Sequence, residues 1–246
     1  MDIVFLGDSH IWSLVKGVKS INPSLKVKSQ PLGAHQHLCD SFFTADGSSI
    51  TITKPELTKY VQSLPLPGYE NAPHIVSIGF HSAHFTRVAR NFGHLDTLKR
   101  ERWAISTATW DAIIEAKQRP QMEFLRALKK VVSSVVVAEA PRLFAASEYC
   151  QGQNLDTIRF IDNRVREIFA SFLEKECIPA VRLLPHMIDI DGFMSPEYRS
   201  NKDGDQHHAN SKIGEELAPY IFSTIFGFGS TNGSLREVAP QIRTVA

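Results

Sequence analysis

The sequence predicts an α/β/α sandwich: a three-layer α/β domain with a central five-stranded parallel sheet covered by helices on both faces. Five apolar or alternating runs have strand length, namely Ile3 to Leu6, Leu25 to Lys28, His74 to Gly79, Val135 to Ala138 and Ala180 to Leu184. Segments of helical period separate them, and crossovers of that kind produce a parallel sheet buried on both sides. Gly7, Gly33 and Gly79 fall where the first three strands end, which marks one edge. Ligands in such folds sit outside the carboxyl ends of the strands.

Each element has its own warrant. The first strand stops at Gly7, and Ile11, Leu14, Val15 and Val18 begin a helix almost at once. Pro23 breaks that pattern, the second strand follows, and Pro31-Leu32-Gly33-Ala34 turns the chain. Phe42-Phe43-Thr44 and Ile50 to Thr53 read as the arms of a hairpin around Asp46-Gly47. A short helix is expected from Pro55, with Leu57, Tyr60 and Val61 on one side, before a loop rich in proline. Residues 81–120 have no clean period and are expected to form a helical insertion over the sheet edge. Pro120 suits a first helical position, and Met122, Leu125, Leu128 and Val132 continue from it. Ile158, Ile161, Val165, Ile168 and Phe172 make the clearest helix, with Arg, Asp and Glu between them as its polar face. Ile213, Leu217, Ile221 and Ile225 make the last, kinked or interrupted at Pro219.

Neither an internal repeat nor a linker divides the 246 residues, so residues 1–226 are expected to be a single domain and 227–246 a loosely packed tail. The net charge of +1 and the mixed signs of Lys99-Arg100-Glu101-Arg102 speak against nucleic acid or an anionic membrane as a partner. Cys39, Cys150 and Cys177 are odd in number and widely spaced, which disfavours a disulfide framework or a zinc cluster. No apolar run approaches the roughly 18 residues of a membrane helix. With a strand from the first residues and no leader pattern, the chain is expected to be cytoplasmic.

Chemistry concentrates at the two ends. Ser9 lies at a strand-to-helix junction, where a hydroxyl faces outward and free N–H groups favour negative charge. Acyl transfer by serine also needs a base, an orienting carboxylate and oxyanion donors. His208 supplies the base, with His207 as its competitor, and Asp205 three residues earlier can curl back to hold the imidazole. Gly33 lacks a Cβ, so its N–H can approach a substrate closely, and His81 can donate a side-chain N–H to the same oxygen. His81 with His84, or Asp8 with His10, suggests a metal pair, but the further ligand groups of a metallophosphoesterase cannot be placed, so no metal and no cofactor is expected. Gly-x-Ser-x-Gly, Walker and dinucleotide signatures fail.

Taken together, Gly7-Asp8-Ser9 after the first strand, Gly33 after the second, and Asp205-x-x-His208 followed by Asn210 and a final helix resemble the SGNH/GDSL hydrolase family. The resemblance spans nearly the whole chain and implies a flavodoxin-like strand order. It implies Ser9 as nucleophile, His208 as base and Asp205 as its orienter, with Asp8 and Asn210 in support. The implied oxyanion hole is the Ser9 amide, the Gly33 amide and an asparagine side chain. The chain departs from the pattern there: the third block should read Gly-x-Asn-Asp, and Gly79-Phe80-His81-Ser82 stands in its place. The implied reaction is hydrolysis of a short-acyl carboxylic ester, with acetyl on a carbohydrate among the candidates. An O-acyltransferase with the same triad, and a degenerate domain that binds a glycan or partner, are the alternatives. Residues 41–72 and 81–120 are expected to form the rim that selects substrate.

Overall fold

A computed structural model describes residues 2–90, 92–94 and 103–227, with the backbone alone described at 92–94, 103 and 104. The Lys99-Arg102 cluster and the tail after Gly227 lie outside the described residues. In chain order the elements are β1 (Asp2–Gly7), α1 (Ile11–Ile21), β2 (Lys26–Pro31), β3 (Phe43–Ala45), β4 (Ile50–Ile52), α2 (Pro55–Thr58), β5 (Ser63–Leu64) and β6 (His74–Ser77). There follow α3 (Ala83–Ala89), β7 (Phe92–His94), β8 (Trp103–Ile105), α4 (Thr107–Val131), β9 (Val135–Ala138), α5 (Leu155–Lys175), β10 (Ala180–Val181) and α6 (Lys212–Phe226).

Five strands form one sheet in the order β10-β9-β6-β1-β2, every neighbouring pair parallel. That is the flavodoxin-like order, in which the chain reverses direction across the sheet beside β1. The pleat of β1 shows why both faces are covered: Ile3 and Phe5 join the cluster beneath α1 and α6, while Val4 and Leu6 join the one beneath α4 and α5. Register brings Gly7 level with Pro31 on one side and Ser77 on the other, so three strands end together. A Cβ on Gly7 would strike the Ser77 carbonyl and the Ile11 side chain. On Gly79, where φ is +86°, it would strike the Phe169 ring.

Helices α1 and α6 cross closely enough that a Cβ on Gly17 or Gly214 would meet the backbone of the other helix. Ser9 precedes one of these helices and His208 precedes the other, so the crossing brings the two ends of the chain together.

The structure corrects several expectations. Pro120 lies inside α4, which begins at Thr107 after Ser106, whose hydroxyl caps it by accepting from the Thr109 N–H at 3.2 Å. A proline inside a helix costs roughly 3 kcal/mol. Burial of Trp110 and Ile114 before it and of Phe124, Leu125 and Leu128 after it carries the helix through. Likewise α6 is not interrupted at Pro219. The 81–120 insertion is not wholly helical, because β7 and β8 pair in parallel within it. The hairpin gains a third strand, β5, and its apolar residues Ile50, Ile52 and Leu64 join the main core. Asp162 and Arg166 are buried, not part of a solvated face of α5. Cys39, Cys150 and Cys177 are free thiols. None of the helices among the described residues is long and apolar enough to cross a membrane.

Candidate active site

Three turns converge where β1, β2 and β6 end. After β1, the Asp8 carboxylate accepts from the His10 N–H at 3.0 Å, which folds Asp8-Ser9-His10 into a tight turn and leaves Ser9 exposed. Ser9 Oγ lies 3.0 Å from His208 Nε2. His208 Nδ1 lies 3.1 and 3.2 Å from the two oxygens of Asp205. One of those oxygens also accepts from the backbone N–H groups of His208 and His207, at 2.9 and 3.2 Å. Burial alone would raise the Asp205 pKa. The two N–H groups and the His208 ring outweigh it and hold the carboxyl well below its usual range.

Asn210 fixes the loop that carries these residues. Its side-chain N–H groups donate to the carbonyls of Glu197 and Arg199 at 2.8 and 3.0 Å, and its oxygen accepts from the Lys212 N–H at the start of α6. His207 points elsewhere: its ring packs against Tyr149, His10 and His208, with centroids 4.8, 5.1 and 4.7 Å away. Of the adjacent pair, His208 is the one within bonding reach of Ser9.

His81 and His35 come from the other two turns. The His81 ring stands between His10 and His35, at 4.8 and 4.7 Å. Asp8 and His35 form a buried ion pair at 3.5 Å. Burial lowers the His35 pKa, but Asp8 and Cys39 raise it more, to about 9. For Asp8, burial acts upward and the imidazoles of His35 and His10 act downward, and the net shift is downward. His10 is pushed down to about 4, His207 to about 3 and His81 well below 6.5, in each case first by burial. At neutral pH these three rings are uncharged.

Beneath the site is a buried charge cluster. Ser82, next to His81, donates to Asp162 at 2.5 Å, and the other Asp162 oxygen takes Arg166 and Arg142 at 2.8 and 2.9 Å. Arg166 reaches on to Glu139 at 2.6 Å and to the carbonyls of Ala140 and Pro141. Gln118 of α4 donates to the carbonyls of Gly79 and Val165 at 2.7 and 3.1 Å. The His81 turn is thus tied to α4, to α5 and to the end of β9.

Ser9 and His208 stand where two hollows meet. One, about 230 Å³, is lined by imidazoles together with Ala34, Gln36, Arg87 and Tyr149. The other, about 580 Å³, runs past Trp12, Lys16, Asn201 and Lys202. Gly33 lines neither, and its Cα faces Leu57 and Tyr60. Residues 41–72 contribute nothing to either hollow, because their apolar side chains are taken into the core. The rim expected from that segment comes instead from residues 200–202, Tyr149 and α1, while His84 and Arg87 of the expected 81–120 segment do take part. Of the pairs weighed from sequence, His84 joins none of the groups of three or more metal-capable side chains among the described residues, and Asp8 and His10 fall in different groups. Sequence reasoning missed the imidazole cluster. Its signal was a histidine two or three residues beyond each of Gly7, Gly33 and Gly79.

No protein-family model matches the chain, and no curated protein matches it. Solved structures do. A lipase from Streptomyces rimosus is 13% identical, with 91% of this chain and 99% of that chain covered and a TM-score of 0.54. Phospholipase A1 from Streptomyces albidoflavus NA297 is 12% identical, with 90% and 98% covered and a TM-score of 0.50. A GDSL-like lipase from Bacteroides thetaiotaomicron VPI-5482 is 13% identical, with 91% and 88% covered and a TM-score of 0.47. Identities this low speak to the fold alone. Five parallel strands in this order, flanked by helices over the same span, give the chain the SGNH/GDSL hydrolase fold.

Proposed function

We propose that the chain hydrolyses a carboxylic ester through an acyl-enzyme on Ser9. The observation that carries this reading is the unbroken relay from Ser9 Oγ through His208 to Asp205. In the first step Ser9 Oγ bonds to the ester carbonyl carbon while His208 Nε2 takes the hydroxyl proton. Collapse of the tetrahedral intermediate breaks the bond to the leaving alcohol, and His208 returns the proton to that oxygen. Water then attacks the acyl-enzyme by the same route. Asp205, ionised at neutral pH, fixes the His208 tautomer and stabilises the imidazolium as it forms. The oxyanion falls to the Ser9 N–H, with the neutral His81 as a second donor in place of the family asparagine; Gly33, which lines neither hollow, is left out of this assignment.

The two hollows suggest how substrate divides. Drug-sized ligands occupy pockets of roughly 300–1,000 Å³, so the 230 Å³ hollow suits a short acyl group such as acetyl. The larger one offers the exposed Trp12 ring with Lys16 and Lys202 beside it. An aromatic platform with flanking donors suits the ring of a carbohydrate alcohol.

A serine-directed phosphonate tests the reading. Ser9 is expected to be labelled, as read by peptide mass, and a folded Ser9→Ala protein is expected not to react. A folded parent left unlabelled at neutral and mildly alkaline pH would favour the non-catalytic binding domain. Product analysis with an added sugar acceptor separates hydrolysis from acyl transfer.

A further inference from the structure

We propose that His10, His81 and His207 form a binding site for one divalent transition-metal ion of the zinc class. One ring nitrogen from each lies within 4.8 Å of the other two. Five ring nitrogens are buried without a protein partner: both of His10, both of His81 and Nδ1 of His207. His10 and His81 are 3% and 7% exposed, and both line the smaller hollow. Buried polar atoms are nearly always paired, so three rings with unpartnered nitrogens, one ligand atom from each within 4.8 Å of the others, point to a ligand that accepts lone pairs. A cation of this class does so.

The donor set selects the ion. Neutral imidazole suits zinc, copper, nickel and iron, whereas calcium and magnesium require oxygen. Tetrahedral zinc at 2.0–2.1 Å from each nitrogen places the nitrogens about 3.3–3.4 Å apart. Closing each pair from at most 4.8 Å takes about 1.4 Å of approach or less, within reach of small side-chain rotations. Three protein ligands leave a fourth position open towards the hollow, for water or an oxygen ligand.

Asp8, His35 and His81 form a second group of similar size. It is the weaker candidate, because Asp8 and His35 already face each other as an ion pair and Asp8 also holds the His10 N–H. The two groups share His81. The site shares His81 with the proposed oxyanion hole but takes no ligand from the relay of Ser9, His208 and Asp205, so its test stands without that relay.

The test uses the full-length chain, stripped with a chelator and reloaded with Co2+ or Zn2+. Elemental analysis is expected to return about one ion per chain, with the intense visible bands of tetrahedral Co2+. Imidazole resonances of His10, His81 and His207 are expected to shift on adding Zn2+, a readout that needs no variant. His10→Gln and His207→Gln are expected to lose the ion, His207→Cys to keep it, and Ser9→Ala and His35→Gln to bind as the parent does. Absence of stoichiometric metal in the folded parent overturns the proposal. So does loss of metal in His35→Gln with retention in His10→Gln and His207→Gln.

Discussion

Replacing Gly214 with Ala tests whether the crossing of α1 and α6 sets the distance between nucleophile and base. A Cβ there would lie 2.5 and 2.7 Å from the carbonyl oxygens of Ser13 and Leu14, and 2.8 Å from Leu14 Cα. Ordinary contact begins near 3.4 Å, so the helices must part by about 0.9 Å. Ser13 and Leu14 follow Ser9 closely, and Gly214 follows His208 closely. Most of that displacement therefore passes into the 3.0 Å contact between Ser9 Oγ and His208 Nε2. It would then exceed the roughly 2.6–3.2 Å over which a general base works. A misplacement near 1 Å costs on the order of 100-fold in rate. Overpacking costs about 1–3 kcal/mol, and alanine's helix propensity returns about 1. A net loss of up to about 2 kcal/mol lowers Tm by at most about 8 °C in a domain of this size. The assay pairs kcat/KM on a short-chain nitrophenyl ester with a thermal melt. A folded Gly214→Ala protein with lowered Tm and kcat/KM within twofold of the parent would refute the link between crossing and site.

Asp205→Asn should lower kcat by roughly 10⁴-fold at neutral pH, because the amide cannot hold the same His208 tautomer; steady-state kinetics read this directly. His81→Ala should cost about 10²- to 10³-fold in kcat, as for one lost oxyanion donor, and His81→Asn should recover much of it on the same ester. Equal rates in both would remove His81 from the oxyanion hole. Glu139 is raised by burial but lowered more by Arg166 and Arg182, so its folded pKa lies below its ordinary 4.5. Its contribution is full above that value and is lost as pH falls through the folded pKa. Glu139→Gln should therefore cost roughly 3–5 kcal/mol at pH 7, and its Tm should converge on the parent's as melts are taken to progressively lower pH below 4.5. Ser106→Ala removes the α4 cap and should lower Tm by about 2–4 °C, for about 1 kcal/mol.

Local pattern carried most of the sheet. The five strands announced themselves by apolar runs, and Gly7 by its place between a strand and a helix. Ser9, Asp205 and His208 were legible because the turn and the loop that present them are local in sequence. The start of α4 was not, since a proline suits both a first turn and, with enough buried contact, an interior. The segment 41–72 looks like a rim in sequence, and only tertiary packing shows Ile50, Ile52 and Leu64 in the core. Asp162 and Arg166 hid for a related reason: charged positions on an amphipathic helix read as solvated unless their partners, here on β9 and its exit, are known. The histidines at 10, 35, 81 and 207 are far apart in the chain, so their meeting is a property of topology.

The charge cluster below the His81 turn separates two kinds of change. Ser82, Asp162, Arg166 and Glu139 hold the floor through directional bonds that few substitutions can reproduce, whereas Trp12 and Lys202 stand exposed at the mouth of the larger hollow. A lineage could alter those outer positions one at a time and move among alcohols of different size while the chemistry stays in register. Variation among descendants of this chain should accordingly gather at the mouth and spare the foundation.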